Sequence, residues 1–401
     1  MKHLLASCAI LIAAAVPTAQ SGITVFEGGR VITGDGKVIE NATVVIDGAR
    51  ITMIGPGRIQ AAPSATRVSL AGKTLMPALV DTHVHTSTTA PELENDLRRR
   101  AFFGIGAALS MGLDGTDAAF AQRGKTTPGL ARIFTAGRGI TAPEKGRTEV
   151  PYWITTEAEA RKAVQELAAR KVDIVKIWVD DRDGKFPKLT PALYGAVIDE
   201  AHKNKLRVTA HIFSLEDAKG LLKAGVDSFA HGIRDRDLDD EAMALFKARP
   251  NVVVIPNMPD RGVAADYGWL RGSIPDGELQ KIQAGATDRP QVAATWGIQA
   301  RNLKKLSDAG VKIAMGTDGN TPWAPHVEMD DMVAAGMTPS QVIVAATRTG
   351  AEFVRLANTG TIEQGKMADL LVVDGNPLDD ITNTRKISAV YLRGIAVDRR
   401  P

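Results

Sequence analysis

The chain has 401 residues, of which 44% are hydrophobic and 24% charged, and its formal net charge is +3. This length and apolar content can bury a large core and fit one barrel plus a small accessory domain, which excludes a disordered chain. So small a charge, with no Lys/Arg run of the kind that tracks phosphates, implies neither nucleic acid nor a membrane surface as partner.

The first residues, MKHLLASCAILIAAAVPTAQSG, combine a basic start at Lys2, an apolar stretch from Leu4 to Val16 and small residues near Ala19. Residues 1–20 therefore read as a secretory signal peptide, too short for a membrane span, and predict an exported protein, periplasmic or secreted, with no membrane association after processing. Cys8, the single cysteine, lies in this leader, so the processed chain is expected to have no disulfide and no thiolate metal site. The apolar region follows Cys8 instead of preceding it, which argues against a lipoprotein box.

From Ile23 to Ile54 apolar and polar residues alternate, with Asp35-Gly36 and Asp47-Gly48 as turn signals, the pattern of short antiparallel hairpins. A second strand-rich stretch covers Ala368 to Asp374 and Ile387 to Val397. The two chain ends, residues 21–74 and 364–401, are expected to pair into a small composite β-sandwich.

Between them, residues 75–363 alternate short β-branched or apolar runs with helical patterns, the sign of βα units and a parallel sheet. Eight strands are predicted: Leu75 to Val80, Ile105 to Ser110, Arg132 to Ala136, Ile174 to Val179, Arg207 to Ala210, Ser228 to Ala230, Val252 to Pro256 and Lys312 to Gly316. Helices are predicted over Thr156 to Arg170 and Thr190 to Asn204, and Thr190-Pro191 and Thr338-Pro339 look like capped helix starts. The fold class is α/β: eight strands alternating with helices imply a (β/α)8 TIM barrel, and a doubly wound open sheet fits the same alternation.

Seven histidines occur. His3 belongs to the leader and His202 to a polar helix end. His83 and His85 follow the first predicted strand, His211 the fifth and His231 the sixth. The carboxyl ends of barrel strands form the catalytic face, so these four imidazoles are expected to converge. In His83-Val84-His85, strand alternation places residues i and i+2 on one face about 6.6 to 6.8 Å apart, close enough to share a metal. Asp318 follows the eighth strand as an Asp-Gly turn or, beside the histidines, as a metal-bound carboxylate.

Lys176 lies in the otherwise apolar fourth strand, where a buried ammonium is costly unless neutralised or paired. Reaction of its neutral amine with carbon dioxide would give a carbamate able to bridge two cations. An ion pair with Asp180 or outward snorkelling would also resolve the charge. His326, after the eighth strand, is a candidate substrate contact or a helix cap. Tyr152, Trp153, Tyr267 and Trp269 lie in long loops and either cover the site or anchor local packing.

Pro77-Ala-Leu-Val-Asp81-x-His83-x-His85 at the first strand, lysine at the fourth, histidines at the fifth and sixth and aspartate at the eighth closely resemble the amidohydrolase superfamily. Gly360-Thr-Ile-Glu-Gln-Gly-Lys-Met-Ala-Asp-Leu-Leu-Val-Val-Asp374 resembles its usual return to the terminal β-domain. The resemblance is closest to the imidazolonepropionase-like branch, which includes metal-dependent dipeptidases and carboxypeptidases. It implies that His83 and His85 hold a more buried cation and His211 and His231 a more exposed one. It further implies that carboxylated Lys176 bridges them and that Asp318 binds metal and moves protons. Two departures concern the pocket. Many relatives have glycine and histidine in the loop after the third strand, where this chain reads Gly139-Ile-Thr-Ala-Pro-Glu-Lys-Gly-Arg147, and tyrosine or histidine two residues after the fifth-strand histidine, where it has Phe213.

The expected activity is hydrolysis of an amide or peptide C–N bond in a small substrate, of dipeptide or N-acyl amino acid type, by a hydroxide bridging two divalent ions, zinc being the default. A cyclic amide or lactone would suit the same centre. A deaminase fits less well, because the fifth-strand histidine lacks a nearby glutamate and Lys176 would be unexplained. A catalytically silent barrel, serving as a binding or scaffold protein, is the alternative outside enzymes. A homo-oligomer is compatible with each of these readings.

Overall fold

The computed structural model describes residues 22–400; the signal-peptide expectation, with His3 and Cys8, lies outside the described residues. Eight parallel strands follow one another: β1 Leu79–Val84, β2 Ile105–Ser110, β3 Arg132–Thr135, β4 Val175–Val179, β5 Val208–Ile212, β6 Ser228–Ala230, β7 Val253–Ile255 and β8 Lys312–Ile313. β1 to β3 form one sheet, and β4 to β8 run in order in a second, which the short strands Ile140–Thr141 and Tyr152–Trp153 extend. Between the edges of the two sheets, the Asp173 N–H donates to Thr135 O at 2.9 Å and the Thr82 N–H to Met315 O at 3.0 Å, while Val84 forms a parallel bridge with Gly319.

The connecting helices carry the capping chemistry their sequences promise. Glu157–Ala169 starts with a capping box in which Thr156 and Glu159 each satisfy the other's backbone N–H. Pro191–Lys203 is capped by the Thr190 side chain, with proline in the first turn. Thr338 and Gln341 form a second capping box ahead of Pro339–Val344. Apolar faces of these helices and of the parallel strands share one core that includes Leu79, Ile105, Val175, Val197, Leu221 and Met329.

Both chain ends join one eight-stranded sheet. Ile23–Ile32, Val38–Asp47 and Arg50–Pro56 run antiparallel, and Asp47 pairs with Arg50 across a tight turn in which Gly48 has φ 52°. Lys73–Pro77 pairs antiparallel with Leu370–Asp374, which joins the amino-terminal strands to Ile387–Leu392.

The first predicted strand, Leu75 to Val80, requires correction. At Ala78 the chain leaves the terminal sheet, with its N–H bonded to Asp369 O, and Leu79 then bonds Gly104 O and begins β1. The run Thr-Leu-Met-Pro-Ala-Leu-Val is apolar throughout, so periodicity gives no sign of the change of sheet. As a result His83 lies inside β1 instead of beyond it. Similarly, β5 continues to Ile212 and includes His211.

Candidate metal centre

The strand ends bring His83, His85, Lys176, His211, His231 and Asp318 to one place. Ring centroids are 5.3 Å apart for His83 and His85, 5.4 Å for His83 and His231, and 4.4 Å for His211 and His231. Ligand atoms of His83, His231 and Asp318 lie within 4.8 Å of one another. Asp318 has φ 57° and His231 φ 97°, left-handed conformations uncommon outside glycine, and such strain concentrates at functional sites. Close approach of β8 to β1 depends on Gly316, where a Cβ would lie 2.9 Å from His83 N and 2.6 Å from Ile255 Cγ2.

Asp81 couples β1 to the turn that carries Asp318. Its carboxylate accepts from the Thr317 hydroxyl at 2.8 Å and the Thr317 N–H at 3.1 Å. The Asp318 N–H in turn donates to His83 O at 2.8 Å. Burial pushes the Asp81 carboxyl up to about 6 against the nearby Arg100 charge.

His83 is fully buried, and its Nδ1–H donates to Asn257 Oδ1 at 2.9 Å. Nε2 therefore presents its lone pair to Asp318 Oδ1 at 3.0 Å, with Lys176 Nζ at 3.5 Å. His85 Nε2 lies 3.0 Å from the same Asp318 oxygen, and His231 Nε2 lies 3.4 Å from Oδ2. Both ring nitrogens of His231 and Nδ1 of His85 are buried without a hydrogen-bond partner among the described residues.

Electron-pair donors that face one another, with orphaned imidazole nitrogens, are what a divalent cation resolves. An all-nitrogen-and-oxygen donor set also fits zinc chemistry. Burial, with the Lys176 charge behind it, brings His83 down to about 4 and holds His211 well below the ordinary imidazole range. His231 is held down by burial and by His211. These rings are neutral at pH 7, as metal ligands must be.

Lys176 is fully buried, and its Nζ sits 5.2 Å from the Trp178 ring centre. Burial brings its amine down to about 7 despite the opposing pull of Asp318. The alternative pairing with Asp180 is not formed. Asp180 Oδ2 instead accepts from Arg182 Nη1 at 2.5 Å and lies 2.9 Å from His211 Nε2. A cavity of about 450 Å³ opens onto His85, Trp178, Arg182, His211 and Asp318.

His326 does not reach this cavity as a substrate contact. It is buried, with Nε2 2.9 Å from Phe103 O and Nδ1 3.2 Å from the Thr384 hydroxyl, so both ring nitrogens are engaged in structural bonds. Of the loop aromatics, Trp269 stacks edge-on against His326, and Tyr152 lies under the Arg138 guanidinium. Sequence reasoning missed Asn257 and Arg182. One asparagine after Pro256 carries no motif, and Asp-Asp-Arg-Asp-Gly has the composition of a solvated turn.

A family model described as the amidohydrolase family matches residues 74–397. An imidazolonepropionase of Deinococcus radiodurans is 26% identical over 371 residues, covering 86% of this chain and 89% of that protein. Among solved structures, a putative prolidase from Bifidobacterium longum superposes with a TM-score of 0.78 at 26% identity, covering 95% of both chains. A Xaa-Pro dipeptidase with methionine bound in its active site does so with a TM-score of 0.75 at 26% identity, covering 94% of this chain and 99% of that one. These likenesses extend over sheets and centre alike and imply a TIM-barrel-like α/β fold. This chain belongs to the amidohydrolase family and is a hydrolase acting on carbon–nitrogen bonds.

Proposed function

We propose that this chain hydrolyses an amide or peptide bond in a small substrate of dipeptide or N-acyl amino acid type. It would be exported and would use two divalent ions, zinc by default. His83 and His85 would hold one ion and His211 and His231 the other, with Lys176, carboxylated, bridging them and Asp318 completing the set. The observation that carries the reading is the convergence of four strand-end imidazoles and one carboxylate on a fully buried lysine. The parallel strands and bonded sheet edges support a closed (β/α)8 barrel, and the pairing of chain ends supports a composite terminal β-domain.

When bound, such ions lower the pKa of water toward 7 and polarise a carbonyl. The remaining work belongs to the protein. Asp318, at the cavity edge, accepts the proton of the attacking water on its carboxylate and passes it to the departing amine. Asn257 fixes the hydrogen of His83 on Nδ1, and Asp81 fixes the turn carrying Asp318. No serine or cysteine nucleophile enters.

The test is to incubate metal-reconstituted protein with a library of dipeptides and N-acyl amino acids and to read products by mass spectrometry. Cleavage of members of that class is expected. Absence of bound transition metal, with no activation on adding any, would favour a scaffold protein instead.

A further inference from the structure

Three guanidiniums gather beside His211, from the loops after β3, β4 and β6: Arg147, Arg182 and Arg234. Glu144 and Asp180 are the buried or nearly buried carboxylates among them, and Glu149 lies exposed on the rim, bonded to the Gly146 N–H. Arg147 is taken by Glu144 at 2.9 Å. Nε of Arg182 faces Glu144 Oε1 at 3.5 Å, with neither atom in a hydrogen bond, and Nε of Arg234 is buried without a hydrogen-bond partner among the described residues.

Arg182 is the most deliberately placed of the three. Asp180 gives it both carboxylate oxygens: Oδ1 accepts from the Arg182 N–H at 2.8 Å and Oδ2 from Nη1 at 2.5 Å. Arg182 and Asp183 have φ 56° and 60°, two successive left-handed residues without glycine, a conformation that L side chains rarely adopt. From this turn the guanidinium reaches β5, where Nη1 comes within 2.9 Å of His211 Nε2 and the side chain lines the cavity that also borders Asp318. By the resemblance above, many relatives have a tyrosine or histidine two residues after the fifth-strand histidine, where this chain has Phe213, whose side chain donates nothing. Arg182 supplies the missing donors from another loop.

We propose that Arg182 is a specificity residue that binds a carboxylate carried by the substrate, so that the enzyme selects anionic amides over neutral ones. A planar guanidinium is the group suited to recognising a carboxylate, and it stays charged at every working pH. Nη1 is held by Asp180 and Nε faces Glu144, which together fix the plane and leave Nη2 for a ligand. The inference rests on the amide-hydrolase reading for the meaning of the cavity, but its test reads binding and not turnover.

The experiment measures binding of N-acetyl-L-alanine and of its neutral carboxamide to the metal-reconstituted full chain by calorimetry, in wild type, R182Q and R182K, with metal content determined for each. Wild type is expected to bind the acid at least about tenfold tighter than the amide, and R182Q to bring the two within about twofold, as loss of a charge-assisted fork predicts. R182K keeps the charge without the fork and is expected to fall between. Equal affinities in wild type, no binding of either probe, or a preference that survives R182Q at unchanged metal content would overturn the proposal. If R182Q loses metal, R182K decides: a preference equal to that of wild type overturns it, and a reduced one supports it. Acid-selective binding without hydrolysis of any amide would sink the amidase reading and leave the assignment of Arg182 standing.

Discussion

His83 Nδ1–H donates to Asn257 Oδ1 at 2.9 Å, joining β1 to the second residue after β7 across 174 positions of sequence. Asn257 has φ 45°, so its backbone is bent to present that oxygen. The bond decides which nitrogen of His83 faces the other strand-end groups, and outer partners of this kind tune ligands as much as the ligands themselves do.

Asn257→Ala should therefore weaken metal binding by about 10- to 100-fold while leaving the fold intact. Competition with a chromogenic chelator measures it. Unchanged affinity would mean that the bond is only packing.

Asp318→Asn keeps an oxygen near His83 and His85 but cannot take a proton. Turnover should drop by at least about 10²-fold, with metal content largely retained. Near-normal kcat in this variant would remove Asp318 from the proton path.

Carboxylation of Lys176 needs a neutral amine. Burial brings that amine down to about 7, so it is protonated below this pH and neutral above it. Activation of metal-free protein by metal and bicarbonate should be slow at pH 6 and fast at pH 8, about tenfold apart per unit of pH on the acid side. An activation rate without pH or bicarbonate dependence would count against the carbamate.

His326 should matter to stability and not to chemistry. Replacing it by alanine leaves Phe103 O without its partner, at about 1–3 kcal/mol, while the Thr384 hydroxyl keeps its bond to Ile381 O. Urea denaturation should show the loss, and kcat per folded molecule should be unchanged. Burial brings the ring down to about 4 from 6.5, so between these values the unfolded chain binds more protons than the folded one. Its contribution is complete above pH 6.5 and is lost as pH falls toward 4. The variant should show a shallower loss of stability over that interval.

The ligand strands were legible because strand ends repeat one geometry. His83-Val84-His85, His211 and His231 each stand at an apolar run, and a histidine there is conspicuous by type. Lys176 was legible because a single charge in Val-Lys-Ile-Trp-Val has to be explained by its burial. Depth was not legible. His326 and His85 look alike in sequence, yet one is sealed under Trp269 and the other stands at the open cavity. Nor was the change of sheet at Ala78, since both sheets bury apolar residues on each side of it. Arg182 escaped because the same residues that make a solvated turn also make a strained one, and only the backbone angles tell them apart.

The passage of the chain from Lys73–Pro77 into β1 gives the carboxyl-terminal strands a mechanical part in the chemistry. Leu370–Asp374 grips Lys73–Pro77 along its length, and two residues later the same backbone enters the strand that carries His83. The last strands thus clamp the root of the first ligand strand from outside the catalytic face. Shortening the carboxyl end into Leu370–Asp374 would slacken that root, so loss of cation retention would come before loss of the parallel sheets. The end of the chain farthest in sequence from His83 helps keep it in register.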